Sequence, residues 1–284
     1  MAHRTRAGVD HRSQVHELDA RASRVAPGAA QDIDAGNGPL PALADAAGDV
    51  FDRINHANLK TIYPPVAQAA FALAYWLKPW SLTAWRLVCL AGELATLGLM
   101  LALLRQVGRP ALWVVVYWWN PIPIKELVNT AHMEAIVMPL VLAAVWLSVR
   151  RRHMAAVGML GLAIGAKLWP VLLAPLLLRP LLGDRRRLAA AIGLLGGLMV
   201  LWALPPLLAG LDETSGFVAY ARYWRTNSAL FPVLEAVAAM AVAPFSSDAL
   251  LAGALVRAGT AASVGGLALW LSRSPVVGAA DLVR

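Results

Sequence analysis

Residues 84–104, AWRLVCLAGELATLGLMLALL, form a long apolar run in which Arg86 and Glu93 are the two charged positions. A transmembrane α-helix needs about 20 predominantly apolar residues, because it must cross a hydrocarbon core about 30 Å thick. The run is long enough for this crossing. It therefore predicts a membrane-spanning helix and decides the class of fold for the chain.

The composition of the rest of the chain agrees with this prediction. The protein is 59% hydrophobic and only 15% charged, whereas soluble domains carry about 25% charged residues. Its apolar segments do not alternate as barrel strands would, so helices must satisfy the backbone in lipid. The fold class is predicted to be all-α, a polytopic transmembrane helix bundle with short re-entrant or broken helices. The apolar segments are 66–77, 84–104, 110–119, 135–149, 154–166, 170–182, 188–209, 228–244 and 249–271.

Two regions differ in composition. Residues 1–53 are polar, rich in acids and bases, and contain no apolar run long enough for a span. This segment is predicted to be disordered, because it cannot bury enough apolar surface to order itself. Residues 54–284 are predicted to form the transmembrane helical domain.

The net charge of +8 does not predict a nucleic-acid partner. The bases lie in short clusters between apolar runs, as topology determinants do, and not on the face of a polar domain. Cys89 is the single cysteine, so no intrachain disulfide can form. The six histidines form no ligand pair of the HExxH kind, which argues against a zinc site.

The basic clusters orient the helices. They comprise Arg105 with Arg109, then 150–152, then Arg179 with 185–187. The positive-inside rule places all three in the cytoplasm. The segments 110–119 and 135–149 should then cross the membrane. The connection 120–134 between them should lie on the extracytoplasmic side.

A break is expected at AKLWP, residues 166–170. The run 153–178 is too short for two full spans, so we expect two half-depth helices that meet near Lys167 and Pro170. Lys167 would then point to the same side as 120–134. A snorkelling lysine is the simpler explanation, but an ionisable residue inside an apolar run is also a candidate functional residue.

The connection KELVNTAHME, residues 125–134, gathers the most polar side chains between two apolar runs. Glu134 at the start of a helix would be stabilised by the helix dipole, and Asn129 or Thr130 could cap that helix. Lys125 and Glu126 are adjacent and are expected to point apart. A capped helix start with interfacial charges explains this pattern as well as a functional site does.

Three further features could carry function. TIYPPVAQ, residues 61–68, would start a helix rigidly beside Tyr63, and YARYWRTN, residues 220–227, combines aromatic rings with guanidinium groups. Glu93 is an acid in mid-span. Each also has a structural explanation: an interfacial tyrosine, an aromatic belt with snorkelling arginines, and an interhelical hydrogen bond.

Five segments in this order resemble polytopic glycosyltransferases of the GT-C type. The resemblance is to bacterial glycosyltransferase-87-like proteins and, more distantly, to the catalytic subunit of GPI mannosyltransferase I. It extends over about two-thirds of the chain. The segments are INHANLKTIYPPVAQAAFAL (54–73), LAGELATLGLML (90–101), NPIPIKELVNTAHMEAIVM (120–138), GLAIGAKLWPVLLAPLLL (161–178) and YARYWRTNSALF (220–231).

The resemblance implies a multi-pass enzyme of the inner or plasma membrane. It would move a hexose, for which mannose is one candidate, from a polyprenyl-phosphate donor to a lipid or glycan acceptor at the extracytoplasmic face. Glu134 and His132 would position the acceptor or transfer its proton. The family carries a loop acid that acts as a general base or metal ligand. Asp45, Asp49 and Asp52 remain in that region without a good match to its motif, and Asp52 is taken as the catalytic candidate. The cofactor stays open, and a divalent cation is the candidate that the resemblance offers. The substrate-binding candidates are Tyr63, Lys125, Glu126, Asn129, Lys167, Arg222, Trp224 and Arg225.

Two departures from the family pattern keep alternatives open. No span or Trp-Asp-Gly-like motif precedes residue 54, and the further spans that the family carries past residue 272 are not found. These departures predict a truncated chain, and a non-catalytic member of the family is one alternative. A transporter or flippase is the other, although it would place ionisable groups at mid-depth on several spans, where only Glu93 and Arg257 are candidates.

Overall fold

A computed structural model describes residues 45–48, 59–212, 214–223, 230–246 and 249–273. The described chain is helical, with one isolated bridge and no extended strand. Besides the α-helical turn Pro121–Pro123, the α-helices are α1 (Pro65–Leu77), α2 (Leu82–Gln106), α3 (Val115–Trp118), α4 (Glu134–Val149), α5 (His153–Ala166), α6 (Ala174–Leu178), α7 (Arg185–Leu208), α8 (Gly216–Tyr223), α9 (Phe231–Val242) and α10 (Ala249–Arg273).

The prediction of an all-α polytopic membrane bundle is confirmed. Within the described residues, α2, α7 and Leu251–Arg273 of α10 are long and apolar enough to cross a membrane. A fourth span is formed if Pro121–Asn129 and Glu134–Val149, which are bent by 115°, count as one.

Local signals set the helix starts: Ser81 caps α2 and Asp184 caps α7, each accepting backbone N–H bonds.

The segment 110–119 differs from its prediction as a regular spanning helix. It forms a 3₁₀-helix, Ala111–Val114, followed by the single turn α3. Eight helical residues reach only about 12–16 Å, which is half a bilayer core or less. The chain then turns at Asn120 into the helical turn Pro121–Pro123. The connection to α4 is therefore not approached by a full span of its own.

The expected break after residue 166 is confirmed. Helix α5 ends at Ala166, and Lys167 is fully extended, with φ −158° and ψ 144°. A 3₁₀-helix, Trp169–Leu173, and the short α6 follow. Proline at position 170 suits the start of the new helix, because its missing N–H would be unpaired there in any case.

Helix α4 is at the centre of the packing, because it contacts both α2 and α5. Glycines allow these close approaches. A Cβ on Gly92 of α2 would lie 2.2 Å from the carbonyl oxygen of Ala135, so no larger residue fits there without moving α4. On α5, the carbonyl oxygen of Gly161 accepts a 2.9 Å hydrogen bond from Nε1 of Trp202 in α7. Small residues at such contacts are typical of membrane helix pairs.

The chain divides into two units, one comprising 1–61 with 211–220 and the other comprising 62–210 with 221–284. In the first, Lys60 pairs with Ser215 through a parallel bridge. The Lys60 ammonium lies 2.8 Å from Asp212, an exposed pair. Together with the Thr214 hydroxyl, it lowers the pKa of Asp212 to about 2.

The predicted boundary between a polar segment 1–53 and a helical domain 54–284 stays a prediction. Apart from 45–48, residues 1–53 lie outside the described residues.

Candidate active site at the start of α4

The connection 120–133 is built from two unusual turns. Asn120 caps the turn that begins at Pro121, since its side chain accepts a 2.9 Å bond from the Ile122 N–H. The chain then widens into a π-helix, Ile124–Asn129. The wide turn is closed by the Thr130 N–H, which donates to the carbonyl oxygen of Lys125 at 2.9 Å. π-Helical turns are rare and concentrate at functional sites.

Ala131 ends this segment in a left-handed backbone conformation, with φ 56°. This conformation costs an L-residue about 1–2 kcal/mol. The surrounding contacts hold it in place: Ala131 is buried with Cys89 and Leu127, and its carbonyl oxygen accepts a 2.8 Å bond from Nε1 of Trp85. After this turn, the imidazole of His132 faces back toward Glu126 of the π-helix, and Glu134 begins α4.

Glu134 and Lys167 form an ion pair in which the Lys167 ammonium donates to Oε1 of Glu134. Glu134 is the first residue of α4, where the helix dipole favours a carboxylate. Lys167 reaches it because α5, packed against α4, ends one residue earlier. Both side chains are partly buried. The break in α5 and the break before α4 thus meet at one ion pair.

The imidazole of His132 lies between two carboxylates. Its Nδ1 is 3.5 Å from Oε2 of Glu134, and its Nε2 is 3.7 Å from Oε2 of Glu126. The side chain of His132 is 58% exposed, so an incoming molecule can reach it. Oε2 of Glu134 is buried and accepts no hydrogen bond from the described residues. The arrangement can therefore orient an imidazole and stabilise it when it is protonated.

Two local predictions for this segment are wrong. Lys125 and Glu126 do not point apart, because Nζ of Lys125 lies 3.4 Å from Oε1 of Glu126 in the widened turn. Neither Asn129 nor Thr130 caps α4. The residue before α4 is Met133, which provides no side-chain cap, and the Thr130 hydroxyl donates instead to the carbonyl oxygen of Glu126 at 2.6 Å.

A line of aromatic rings connects Tyr63 to this site. The Tyr63 ring meets Phe71 edge-on at 5.4 Å, and Phe71 lies 4.7 Å from Trp85 between ring centroids. Trp85 in turn donates to the carbonyl oxygen of Ala131. Tyr63 itself is 38% exposed. Sequence reasoning missed both Phe71, which lies in the resembling segment 54–73, and Trp85, which lies in the apolar run 84–104.

Glu93 is buried in α2 and has a neighbour that sequence reasoning did not identify. The hydroxyl of Tyr117, in α3, donates to its carboxylate at 3.2 Å from Oε2. This interhelical hydrogen bond is the structural explanation considered for a mid-span acid. Thr96, three residues after Glu93 on the same helix, is also buried.

Of the predicted site residues, four come together in the structure: Glu126, His132, Glu134 and Lys167. Lys125 joins them through Glu126, and Asn129 is exposed at the end of the π-helix. Arg222 lies in α8, but its side chain is not described. Asp52, Trp224 and Arg225 lie outside the described residues, so their assignments stay predictions.

A divalent cation does not fit the residues present here. Lys125 and Lys167 already neutralise Glu126 and Glu134, and hard cations need several carboxylate or carbonyl oxygens free to bind them. In the described part of the chain, no group of three His, Cys, Asp or Glu side chains could hold a metal ion.

The fold and this site define a polytopic membrane protein with an acid–base cluster where broken helices meet. A model of glycosyltransferase family 87 matches residues 61–283, and the chain belongs to this family. It is therefore a membrane glycosyltransferase, which takes a sugar from a donor and passes it to an acceptor. Comparison with curated proteins and with solved structures finds no match.

Proposed function

We propose that the protein moves a hexose, with mannose the first candidate, from a polyprenyl-phosphate donor to a lipid or glycan acceptor. The main observation behind this proposal is the position of Glu134. Its carboxylate is paired with Lys167, and its Oε2 lies 3.5 Å from Nδ1 of His132. An exposed imidazole backed by a fixed carboxylate is the arrangement that removes a proton from an attacking hydroxyl. Membership of family 87 makes that hydroxyl the acceptor of a sugar.

In this proposal the acceptor oxygen attacks the anomeric carbon of the donor sugar and forms the new glycosidic bond. The bond between that carbon and the phosphate oxygen breaks, and the phosphate leaves with the electron pair. The acceptor proton moves to the imidazole of His132. The Glu134 carboxylate stabilises the resulting imidazolium, and Lys167 holds Glu134 in place.

The charge pattern supports an extracytoplasmic reaction side. The basic clusters at Arg105, 150–152 and 185–187 favour a cytoplasmic location for their turns, which leaves 120–134 on the opposite face. A donor carried on a lipid suits this location, because the charged groups of a free nucleotide sugar would be costly to move through the hydrocarbon core. The inner or plasma membrane is the proposed location.

The test is transfer of labelled sugar by membranes that carry the chain. Polyprenyl-phosphate mannose, polyprenyl-phosphate glucose and GDP-mannose are supplied in separate arms, and labelled product is extracted and counted. We expect transfer from a polyprenyl-phosphate sugar and a loss of about 100-fold in Glu134→Gln, the range typical of a group that assists proton transfer. Lys78→Gln, an exposed lysine at the end of α1, is the control and should transfer normally.

Two results would contradict the proposal in different ways. Transfer from GDP-mannose but from neither lipid-linked sugar would show that the donor is wrong. Wild-type transfer by both Glu134→Gln and Lys167→Ala would show that the site is wrong while leaving the donor in place.

A further inference from the structure

An open groove of about 470 Å³ begins directly after Lys167 in the chain. Its walls are apolar and come from Leu168, Trp169 and Leu172 on one side and from Val264 of α10 on the other. Phe231 of α9 also lines it. The groove thus lies where the broken span after α5 meets the last two described helices.

One positively charged side chain, that of Arg257 in α10, lines this groove. Its guanidinium carbon lies 5.1 Å from the centre of the Phe231 ring. Its Nη2 is buried and has no hydrogen-bond partner among the residues that the structure describes. Oε1 of Glu235 in α9 and Nη1 of Arg257 lie 2.7 Å and 3.3 Å from the position that a Cβ on Gly253 would take. The remaining guanidinium donor lacks an acceptor, and burial makes that costly.

Lys167 is in the opposite situation. The sequence made it a candidate for binding substrate, but its ammonium is already paired with Glu134. A cation that has its own carboxylate attracts a second anion less strongly than one with an unbonded donor. The structure therefore favours Arg257 over Lys167 as the group that meets an anion.

We propose that this groove binds the polyprenyl phosphate of the donor, with the phosphate on Arg257 and the prenyl chain along Leu168, Trp169 and Val264. The inference rests on the function proposed above. A guanidinium offers a planar pair of donors that matches phosphate oxygens, and the apolar walls suit a hydrocarbon chain. Besides Arg257, Thr260 is the polar residue that lines the groove, and its hydroxyl donates to the carbonyl oxygen of Val256. One cation among mainly apolar side chains is complementary to one phosphate on one hydrocarbon chain.

The test measures binding and does not depend on sugar transfer. Purified protein in detergent is titrated with farnesyl phosphate, and the fluorescence of Trp169 and the other tryptophans is followed. We expect Arg257→Gln to weaken binding by about tenfold or more, because a hydrogen bond to a charged group is lost. Arg257→Lys should lose less. Arg273→Gln, an exposed arginine on the same helix, is the matched control and should bind as the wild type does.

Two further arms separate the chain from the phosphate. Farnesol has the same chain without the phosphate, so it should bind the wild type more weakly than farnesyl phosphate does. Its affinity should be the same for the wild type and for Arg257→Gln. Val264→Trp keeps the charge but fills the groove, so it should weaken binding of both ligands. Circular dichroism and size-exclusion chromatography establish that each variant is folded before it is titrated.

Unchanged farnesyl phosphate binding by folded Arg257→Gln would overturn the proposal. Displacement of farnesyl phosphate by phosphatidylglycerol at equal concentration would also overturn it, since the groove would then be a general lipid site. Binding that depends on Arg257 in a protein that transfers no sugar would instead contradict the proposed function and leave the groove standing.

Discussion

The carboxylate of Glu134 accepts a hydrogen bond from the ammonium of Lys167, which lies 33 positions further along the sequence. Glu134 begins α4, and Lys167 is the first residue after α5. Each therefore lies where a helix is interrupted and backbone groups are released from the regular pattern. The ion pair joins the two interruptions and holds the acid–base cluster in one place.

The first prediction concerns this pair. Glu134→Gln and Lys167→Met should each lower the thermal stability of the purified protein, because each leaves the partner charge uncompensated in a partly buried position. The double variant should recover part of the loss, with a coupling of about 1 kcal/mol. The coupling between the two side chains is obtained from the unfolding midpoints of the wild type, the two single variants and the double variant, all measured in one detergent. Strictly additive losses would mean that the pair does not form.

The second prediction uses two glycines of α2. Gly92→Ala should destabilise the protein by about 1–3 kcal/mol and lower transfer, because its Cβ would meet the backbone oxygen of Ala135 at 2.2 Å. Gly98 has nothing within 4 Å of its Cβ position. Gly98→Ala should therefore leave stability unchanged or raise it by up to about 1 kcal/mol. Equal effects of the two substitutions on unfolding and transfer would contradict the close contact of α2 with α4.

The third prediction concerns the left-handed residue Ala131. Ala131→Gly relieves a strain of about 1–2 kcal/mol but removes a buried methyl group worth about 0.8 kcal/mol, so stability should change little. Ala131→Val adds both strain and volume, so it should lower stability and transfer together. Thermal unfolding and the transfer assay measure the two effects. A Val variant as stable and active as the Gly variant would rule out this backbone conformation.

The fourth prediction separates His132 from its neighbour Glu126. His132→Gly should lower kcat for transfer by about 100-fold, because the proton acceptor is lost. Since the side chain is 58% exposed, added imidazole should reach the vacated space and restore part of the rate. Glu126→Gln should lower kcat less than about tenfold, because its carboxylate is 3.7 Å away and exposed to water. If added imidazole does not raise the rate of His132→Gly above the rate of the same variant without imidazole, His132 has a purely structural role.

The fifth prediction concerns topology. Cys89 is fully buried and should not react, so the natural chain serves as a background of low reactivity. Asn129→Cys is exposed and should be labelled by a membrane-impermeant maleimide added outside intact cells. Arg151→Cys, in the basic turn between α4 and α5, should be labelled only after the cells are opened. The reverse pattern would place the acid–base cluster in the cytoplasm and undo the proposed reaction side.

Several features of the fold could be predicted from the sequence. Runs such as 84–104 and 188–209 are long and apolar, so their helices follow from hydropathy alone, and the structure has α2 and α7 there. The break near Lys167 followed from the same reasoning, since 153–178 could not hold two spans and carries a proline at 170. Segment 110–119 was misjudged because hydropathy does not distinguish a regular helix from 3₁₀ and α turns in succession.

The candidate site shows where sequence reasoning ends. The polar residues of 125–134 stand out by composition, so Glu134 and His132 could be selected as candidates. Their partners could not be assigned with the same certainty. Lys167 was expected on the same side of the membrane, but its pairing with Glu134 depends on how α5 packs against α4. The π-helix and the left-handed Ala131 have no signal in the residue types, because the surrounding contacts impose them.

By itself, the sequence determined that this chain is a helical membrane protein, where most of its helices lie and which connection carries the polar groups. Tertiary structure alone decided that Tyr117 meets Glu93, that Gly92 touches Ala135 and that Arg257 stands in an apolar groove. The physical reason is that these helices are apolar on nearly every face. Hydropathy then reveals that they enter the membrane, but the rotation and contacts of each helix depend on side-chain packing between distant segments.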